Sequence, residues 1–355
     1  MRLGIQLGYS GQGFADAVDE VVEFEQAGAE LVVVPEAYSF DAVSQLGFLA
    51  ARTRTMGLAS GVMQTFTRTP TLTAMTAAGL DYVSGGRFSL GLGASGPQVI
   101  EGFHGVRYDA PVARTREIVE ICRRTWRREA LVFQGEHYRI PLPGEYGKPL
   151  KLINRPVRER IPILLAAMGP RNVALAAEIA DGWQALFLDP RAAGRVFGEA
   201  LADGLARRDP ELGPLDVSVP VPYALAEPTP ALLGPHRAQL ALYLGGMGAR
   251  KRNFSNDLIR RYGYPRAAEL IQELYLSGRK AEAAAAVPDD LVAATCLVGA
   301  PDEIRRRLDD LAAAGVTTIL ASPLAAARAE RVKDVTALRQ LLDDAGPTPP
   351  LSAER

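Results

Sequence analysis

The sequence has few of the residues that build disulfide frameworks, metal sites and acid–base centres. The 355-residue chain contains two cysteines, Cys122 and Cys296, and three histidines, His104, His137 and His236. The cysteines lie far apart within apolar patterns, so we expect two buried thiols and no disulfide. The histidines have no paired spacing, which argues against a zinc motif, and we expect no metal site.

Charge and hydropathy limit the partners further. The formal net charge is −1, whereas a nucleic-acid-binding surface needs a strong basic bias. No apolar run reaches the length of a membrane span, and no secretion signal is present at the N-terminus. We therefore expect a cytoplasmic protein with a small-molecule substrate and no nucleic-acid or membrane partner. A homodimer is the expected assembly, although charge and hydropathy do not indicate it.

Apolar runs of strand length alternate with segments of helical spacing along most of the chain. This alternation is typical of right-handed βαβ units and a parallel sheet. Eight strands, each followed by at least one helix, predict a (β/α)8 TIM barrel in a single domain over residues 1–345. A doubly wound open sheet is the alternative. The predicted strands are 3–7, 30–35, 55–63, 87–92, 161–166, 182–188, 217–224 and 317–321.

Two segments interrupt this rhythm. An insertion at about 129–157, after the fourth strand, contains VFQGEHYRI, which predicts a β-hairpin. A longer insertion at about 228–297 predicts three or four helices between the seventh and eighth strands. The tail at 346–355, GPTPPLSAER, has the composition of a disordered end.

Two glycine-containing loops follow predicted strands. The stretch 80–98, LDYVSGGRFSLGLGASGPQ, ends in a loop of very small residues that lets backbone approach a ligand and offers N–H groups to a phosphate. In the stretch 164–172, LLAAMGPRN, Gly169-Pro170 opens a helix whose amides, with Arg171, could hold an anion. The alternatives are a tight strand-to-helix connection in the first case and an ordinary barrel loop in the second.

The predicted strand ends are otherwise poor in catalytic side chains. Tyr9 and Ser10 follow the first strand, and Glu36, after the second strand, is the one carboxylate at these ends. A nucleophilic hydrolase or a two-carboxylate glycosidase would show more acids and bases. A site of small, apolar and backbone groups suits a large planar cofactor that carries its own reactivity.

These blocks of sequence resemble the luciferase-like monooxygenase superfamily, and more narrowly its coenzyme F420-dependent oxidoreductases. The resemblance implies a TIM-like barrel with an insertion after the seventh strand. It also implies F420 across the barrel mouth and hydride transfer at its C5 atom. Two alternatives stay open: an FMNH2-dependent monooxygenase that binds FMN, and a non-catalytic relative. The blocks are AGAELVVVPEAY, ASGVMQTFTRTP, LDYVSGGRFSLGLGASGPQVIEGFHG, FQGEHYRI, ILLAAMGPRNVALAAEIADGW and AAAGVTTILASP.

The resemblance also assigns residues to the cofactor. It implies a bulge with a cis peptide at Gly61-Val62 behind the deazaflavin ring, and a loop at Ala94 and Ser95 that meets the cofactor chain. Glu36 matches an acidic position near the ring, where we expect it to orient the ring or substrate, or to serve in proton transfer. An ion pair between Glu36 and Arg68 is the alternative. The cofactor-binding residues predicted in this way are Gly61, Val62, Met63, Gly93, Ala94, Ser95, Gln98, Ala166, Ala167, Met168, Gly169, Pro170, Arg171 and Asn172.

Two departures from the family pattern bear on the substrate. Ala37 stands where the sugar-phosphate dehydrogenases of the family have a histidine, and Gly96 stands where they have a glutamate. We therefore expect neither glucose 6-phosphate nor a pterin, and the substrate stays an unidentified small organic molecule. The acidic tail of F420 would favour a basic strip outside the pocket, for which Arg171 and the run 250–252 (Arg, Lys, Arg) are candidates; a solvated loop is the alternative.

Overall fold

The structure is a computed structural model that describes residues 1–9 and 13–345. The predicted tail at 346–355 and Ser10 lie outside the described residues. The strands are β1 Arg2–Gln6, β2 Leu31–Val34, β3 Gly57–Ser60, β4 Met63–Gln64, β5 Phe88–Gly93, β6 Phe133–Gln134, β7 Arg139–Ile140, β8 Ile163–Ala166, β9 Gly182–Gln184, β10 Asp216–Ala224, β11 Leu297–Val298 and β12 Thr318–Pro323.

Helices follow the strands along the described chain. A 3₁₀ turn at Pro210–Leu212 and a π-helical segment at Leu242–Gly246 supplement them. The α-helices are α1 Phe14–Gln26, α2 Ala42–Arg52, α3 Pro70–Ser84, α4 Pro97–Gly102, α5 Pro111–Trp126, α6 Pro170–Ile179, α7 Pro190–Leu205, α8 Pro230–Ala241, α9 Phe254–Tyr262, α10 Pro265–Leu276, α11 Lys280–Ala285, α12 Asp289–Ala294, α13 Pro301–Ala313 and α14 Arg328–Asp344.

Eight parallel strands close into a barrel in the order β1, β2, β3, β5, β8, β9, β10 and β12. The ring closes because β12 pairs with β1 and also with β10, which in turn pairs with β9. Closure confirms the (β/α)8 prediction and excludes the doubly wound open sheet, which would leave two edge strands.

The barrel has an inner and an outer apolar layer. The four residues of β2, LVVV, are all buried, as expected for a strand covered on both faces. A small cluster of Leu31, Val33, Ala59, Leu164 and Leu320 forms one core. Along β2, residues of this cluster alternate with residues of the larger core. Because successive residues of a strand face opposite sides of the sheet, the small cluster lies inside the barrel and the larger core lies between the strands and the helices.

The third predicted strand, 55–63, is interrupted in the structure. It divides into β3 and β4, and the peptide between Gly61 and Val62 that separates them is cis, which confirms the prediction for this bond. The sixth predicted strand, 182–188, ends earlier, at Gln184, because the following residues leave the sheet and Phe187 takes a positive φ of 54°.

Both insertions are present. Phe133 pairs with Ile140 in the antiparallel β6–β7 hairpin, as predicted. The second insertion contains five α-helices and the π-helical segment rather than three or four helices. Gly263 and Gly278 end α9 and α10 at positive φ, and these stops divide a nearly continuous helical pattern into shorter pieces. The insertion ends in β11, an unpredicted short strand that pairs with β10.

Both cysteines, Cys122 and Cys296, are free and buried, as predicted. Within residues 1–9 and 13–345, no helix is long and apolar enough to cross a membrane. The same residues contain no cluster of three potential metal-ligating side chains.

Candidate active site

A cavity of about 1110 Å³ opens at the carboxyl ends of the barrel strands, where TIM barrels place their chemistry. Most of the predicted site residues line it. Met63 and Gln98 do not: Met63 is fully buried in the larger hydrophobic core, and the Gln98 side chain is turned to the surface, where it donates to the Gly246 carbonyl at 3.3 Å. The predicted residues on the wall are Glu36, Gly61, Val62, Gly93, Ala94, Ser95, Ala166, Ala167, Met168, Gly169, Pro170, Arg171 and Asn172.

Close packing between β3, β4 and β5 keeps one part of the cavity wall free of large side chains. A Cβ atom at Gly91 would lie 1.7 Å from the Ser60 carbonyl oxygen, and one at Gly93 would lie 2.5 Å from Val62 Cγ2. The Ser60 hydroxyl and the Gly91 backbone also exchange two hydrogen bonds, of 2.8 and 2.9 Å. Ser60 and Gly91 do not line the cavity themselves, whereas Gly61, Val62 and Gly93 do, and they present a surface of backbone and small side chains that a planar ring can approach.

Gln64, which directly follows the third predicted strand but was not among the predicted cofactor-binding residues, lies on the same wall. Both its amide nitrogen and its amide oxygen are buried without a hydrogen-bond partner. A buried polar atom left unsatisfied typically costs about 1–3 kcal/mol. Such groups in a native protein call for an explanation, and a ligand with both a donor and an acceptor on one edge would satisfy this amide. The signal in the sequence was a polar side chain directly after a buried run.

The start of α6 is arranged for an anion. The Ala167 carbonyl accepts a hydrogen bond from Trp183 Nε1 at 2.9 Å, and the Met168 carbonyl accepts one from Arg261 Nη2 at 2.5 Å. Neither donor lines the cavity, so both carbonyls are engaged on the protein side. The N-cap residue, Gly169, makes no side-chain cap. Pro170 has no N–H, and the Asn172 amide donates to the Gly169 carbonyl at 3.1 Å. The Arg171 amide is therefore the first-turn donor available to a negatively charged group in the cavity.

Further polar groups surround this helix start. Asn172 and Ser255 line the cavity, and the Ser255 hydroxyl has only a long contact, 3.9 Å, to Met168 Sδ. Ser255 was not predicted, because it lies in the second insertion and reaches the site only through the tertiary fold. Its position adds a hydroxyl donor beside the amides of α6.

Arg252 adds a positive charge at the cavity wall. Its guanidinium lies 5.4 Å from the Tyr108 ring centroid and 5.8 Å from that of Phe254, which is cation–π distance. Among the described residues it has no carboxylate partner. Arg171 also lines the cavity, whereas Arg250 and Lys251 do not. Two of the four cations of the predicted basic strip thus face the site.

Glu36 lines the cavity but is fully engaged by protein groups. Its carboxylate accepts hydrogen bonds from Arg68 Nη1 at 2.6 Å, from Arg68 Nη2 at 2.8 Å and from the Ala42 amide at 2.9 Å. The carboxylate raises the pKa of Arg68 above its usual value through these bonds. The structure therefore shows the ion pair with Arg68 that was the alternative interpretation, and a role for Glu36 in orientation or proton transfer stays a prediction.

An aromatic wall comes from the π-helical segment. Tyr243 packs edge-to-face against Phe187 at 5.2 Å, and its hydroxyl lies 3.4 Å from that of Tyr9. Burial raises the pKa of Tyr243, which keeps its hydroxyl neutral. π-Helical turns occur often at functional sites, and this one directs Tyr243 into the cavity.

The closed barrel, the glycine-lined wall and the anion site at α6 define a class of barrel oxidoreductases. The chain belongs to the luciferase-like monooxygenase family, whose model matches residues 1–318. It is 43% identical over 346 residues to a Mycobacterium tuberculosis protein named "Putative coenzyme F420-dependent oxidoreductase Rv3520c", covering 95% of this chain and 99% of that protein.

Two further comparisons agree with this family. The 5,10-methylenetetrahydromethanopterin reductase of Archaeoglobus fulgidus is 27% identical over 305 residues, which cover 84% of this chain and 87% of that enzyme. The structure of the coenzyme F420-dependent tetrahydromethanopterin reductase from Methanopyrus kandleri superimposes with a TM-score of 0.78. At 21% identity, over 94% of this chain and 97% of the other, that likeness shows the shared fold.

Proposed function

We propose that the protein is an F420-dependent oxidoreductase that transfers a hydride between the deazaflavin and a small organic substrate. One observation carries the proposal. A single cavity joins a wall without large side chains, an unsatisfied amide at Gln64 and an anion site at the start of α6. The 43% identical relative, named as an F420-dependent enzyme, supports the same cofactor.

The residues of the cavity fit the three parts of F420. The small residues of β3–β5 and the Gln64 amide suit a flat ring with a pyrimidinedione edge, which carries both donors and acceptors. The first turn of α6, with Ser255 and Asn172, suits the phosphodiester. When bound, the cofactor supplies the hydride-accepting carbon, and the chain orients the ring and excludes water.

The cations favour F420 over FMN. FMN ends at its phosphate, whereas the phosphate of F420 continues into an acidic lactyl-oligoglutamate tail. Arg252, unpaired among the described residues, offers that tail a positive charge held by two aromatic rings. FMN binding, with monooxygenase activity, is the second candidate, because the family model carries that description.

The cavity also bears on the substrate. Its volume of about 1110 Å³ lies just above the range of about 300–1,000 Å³ for small-molecule pockets, which suits a cofactor together with a modest substrate. Its carboxylates, Glu36 and Glu20, are both paired with arginines, at 2.6 and 2.5 Å. Ala37 and Gly96 add no polar side chain. We infer an uncharged organic substrate of small size.

We also propose a homodimer, on the basis of α3. This helix exposes Leu72, Met75, Tyr82 and Val83, and its one charged residue, Asp81, is buried. An exposed apolar helix face of this kind is typical of a protein–protein interface. Sedimentation equilibrium of the wild-type protein and of Tyr82→Glu tests it: a dimer for the first and a monomer for the second are expected, and a monomeric wild type would contradict it.

Cofactor titration tests the proposed activity. F420 fluorescence should change on binding, and the affinity for F420 should exceed that for FMN by about tenfold or more. Arg252→Ser should weaken F420 binding and leave FMN binding unchanged, since only F420 carries the acidic tail. Arg250→Ser is the matched control, because Arg250 lies two residues away and outside the cavity. Tighter binding of FMN by the wild type would overturn the assignment.

A further inference from the structure

Tyr243 faces the wall that suits the cofactor ring from the other side of the barrel mouth. In the closed ring of eight strands, β10 lies four strands away from β3, so residues that follow these two strands lie opposite each other. Gly61 and Val62 follow β3, whereas Tyr243 belongs to the insertion after β10. Contacts with Phe187, after β9, and with Tyr9, after β1, keep Tyr243 over that half of the mouth. All five residues line the cavity, so a substrate stacked on the open face of the ring would lie between the ring and Tyr243.

Buried asparagines hold the backbone of Tyr243 in place. The Asn253 side-chain amide donates to the Tyr243 carbonyl at 2.9 Å and to the Leu244 carbonyl at 3.0 Å. The side chain of Asn256 also donates to the Leu244 carbonyl, at 3.0 Å. Both asparagines are 3% exposed. Because these bonds engage carbonyls of the π-helical segment, the Tyr243 ring projects from a fixed backbone.

The hydroxyl groups of Tyr243 and Tyr9 are paired with each other. Their oxygen atoms lie 3.4 Å apart, and among the described residues neither hydroxyl has another hydrogen-bond partner. One proton is enough for this contact, so the second proton is left for a group in the cavity. Tyr9 is 49% exposed and reaches solvent. A chain in which Tyr9 donates to Tyr243, and Tyr243 donates into the cavity, therefore connects the ligand space to water.

The carboxylates on the cavity wall do not offer a proton in this way. Glu36 and Glu20 are each paired with an arginine, at 2.6 and 2.5 Å. Tyr243 keeps its proton, because burial raises the pKa of its hydroxyl above the usual value, and Tyr9 and Tyr38 raise that pKa further. A hydroxyl that stays neutral is suited to donate to a substrate atom that becomes strongly basic as it gains negative charge.

Building on the proposed function, we propose that Tyr243 is a catalytic proton donor in the reduction of a polarised double bond, and that Tyr9 relays the replacement proton from water. The substrate carbon forms a bond to the hydride, which a reduced deazaflavin supplies with two electrons. The electron pair of the double bond moves to its electronegative end, which takes the Tyr243 proton as the Oη–H bond breaks. Tyr243 then recovers a proton from Tyr9, and Tyr9 recovers one from water. A general acid typically contributes about 10²–10⁴-fold in rate.

The hydrogen bond from Tyr243 is tested with 2-cyclohexenone that carries ¹³C at its carbonyl. The probe is added to the full-length protein with oxidised F420, which has no hydride to give. Tyr243→Phe keeps the ring beside Phe187 and removes the hydroxyl. We expect the carbonyl resonance of the bound probe to lie further downfield in the wild type than in this variant. The variant should bind the probe about fivefold more weakly, as expected for one lost hydrogen bond.

Tyr38→Phe is the matched control for this measurement. Tyr38 lies on the same rim but does not line the cavity, and its hydroxyl contacts Met247 Sδ at 3.7 Å. The control should therefore give the wild-type resonance and affinity. Equal resonances in the wild type and in Tyr243→Phe, or no binding of the probe to the wild type, would overturn the proposal.

Proton transfer is tested by single turnovers of the protein loaded with reduced F420, followed through the returning absorbance of the oxidised deazaflavin. At saturating 2-cyclohexenone, Tyr243→Phe should react about 10²-fold more slowly than the wild type. Tyr9→Phe, which interrupts the relay, should slow later turnovers more than the first. A wild type that binds the probe without reducing it, or equal rates in the wild type and Tyr243→Phe, would show that the phenol only shapes the cavity and would refute the proposal.

A separate measurement distinguishes this outcome from failure of the proposed function. Tyr243→Phe should bind oxidised F420 as tightly as the wild type, because the wall that suits the ring lies on the opposite side of the mouth. If the wild type did not bind F420, the proposed function would fail, yet the ¹³C comparison could still be made on the protein alone. Circular dichroism of the variants verifies that they fold.

Discussion

Glu36 and Arg68 form a two-point ion pair at the mouth of the barrel, with Glu36 Oε1 2.6 Å from Arg68 Nη1 and Oε2 2.8 Å from Nη2. Both side chains are largely buried, and Oε2 also accepts from the Ala42 amide at the start of α2. The pair therefore joins the loop after β2 to the loop before α3. A carboxylate held by three donors has limited freedom to move a proton.

Replacement of Glu36 by glutamine tests this structural role. The change leaves the Arg68 guanidinium in a largely buried position without its counter-ion, so we expect a loss of about 2 kcal/mol in the free energy of unfolding. This is less than the 3–5 kcal/mol of a fully buried pair, because both groups keep some solvent contact. Urea denaturation of E36Q, Arg68→Met and the double variant measures the coupling. Additive losses would show that the pair contributes nothing.

The same variants address catalysis. If Glu36 only maintains the loops, turnover and F420 affinity in E36Q should follow the fraction of folded protein. A fall in turnover of about 10²-fold or more at unchanged cofactor affinity, with a shifted pH profile, would instead make Glu36 an acid or base. Arg68→Met is the control, since it disturbs the loops and keeps the carboxylate.

Substitution of Gly169 by valine tests the anion site at α6. A Cβ at this position would have no heavy atom within 4 Å, so the added side chain has space in the protein and would project toward the approach to the first-turn amides. We expect F420 affinity to fall by about tenfold and thermal stability to change little, beyond about 1 kcal/mol for a poorer N-cap. Gly194→Val on α7, a position equally open, is the control and should bind F420 normally. Unchanged F420 binding in Gly169→Val would place the phosphate elsewhere.

The local signals in the sequence account for most of the fold. Proline after a capping position begins α3, α6 and α7, and runs such as LVVV mark buried strands, so strand and helix order follows from short-range chemistry. The α6 loop was predictable for the same reason. Met63 was not, because the interruption between β3 and β4 changes which face of the sheet a residue occupies.

The site residues in the insertion between β10 and β12 could not be predicted from the sequence. Ser255, Tyr243 and His236 all lie in this segment, and each reaches the cavity through packing of helices against the barrel rather than through a local motif. Helical spacing in the sequence indicated helices there, but it did not indicate which face of each helix turns toward the cavity. The fold was therefore predictable to a greater extent than the site.

The structure changes the expected effect of substitutions at Gly61 on stability. We would expect from the sequence that Gly61→Leu affects cofactor affinity more than stability. A Cβ atom at Gly61, however, would lie 2.1 Å from Val33 Cγ1 inside the barrel. Even Gly61→Ala should therefore lose about 1–3 kcal/mol through overpacking. Thermal denaturation should show partial recovery in Gly61→Ala with Val33→Ala. Gly96→Ala, where the Cβ meets nothing within 4 Å, should lose less than about 1 kcal/mol, from the poorer N-cap of α4 alone.

Gln64 offers the most direct test of a cavity built for a ligand. Its amide atoms are buried and unpaired, so replacement by leucine removes two unsatisfied groups from the unliganded protein. The free energy of unfolding should stay constant or rise by about 1 kcal/mol. F420 affinity should fall by about 10- to 100-fold, because the ring would lose its hydrogen-bonding partner. A constant or higher free energy of unfolding together with a lower F420 affinity is expected when a side chain serves the ligand rather than the fold.

Thr65→Val is the matched control for Gln64→Leu. The Thr65 hydroxyl is likewise buried without a partner, but it does not line the cavity. Its removal should also leave the protein as stable or more stable, while F420 binding stays at the wild-type level. Titration of both variants against F420, with chemical denaturation in parallel, separates the two effects. Destabilisation of the unliganded protein by Gln64→Leu with unchanged F420 affinity would show that the amide serves the fold and not the cofactor.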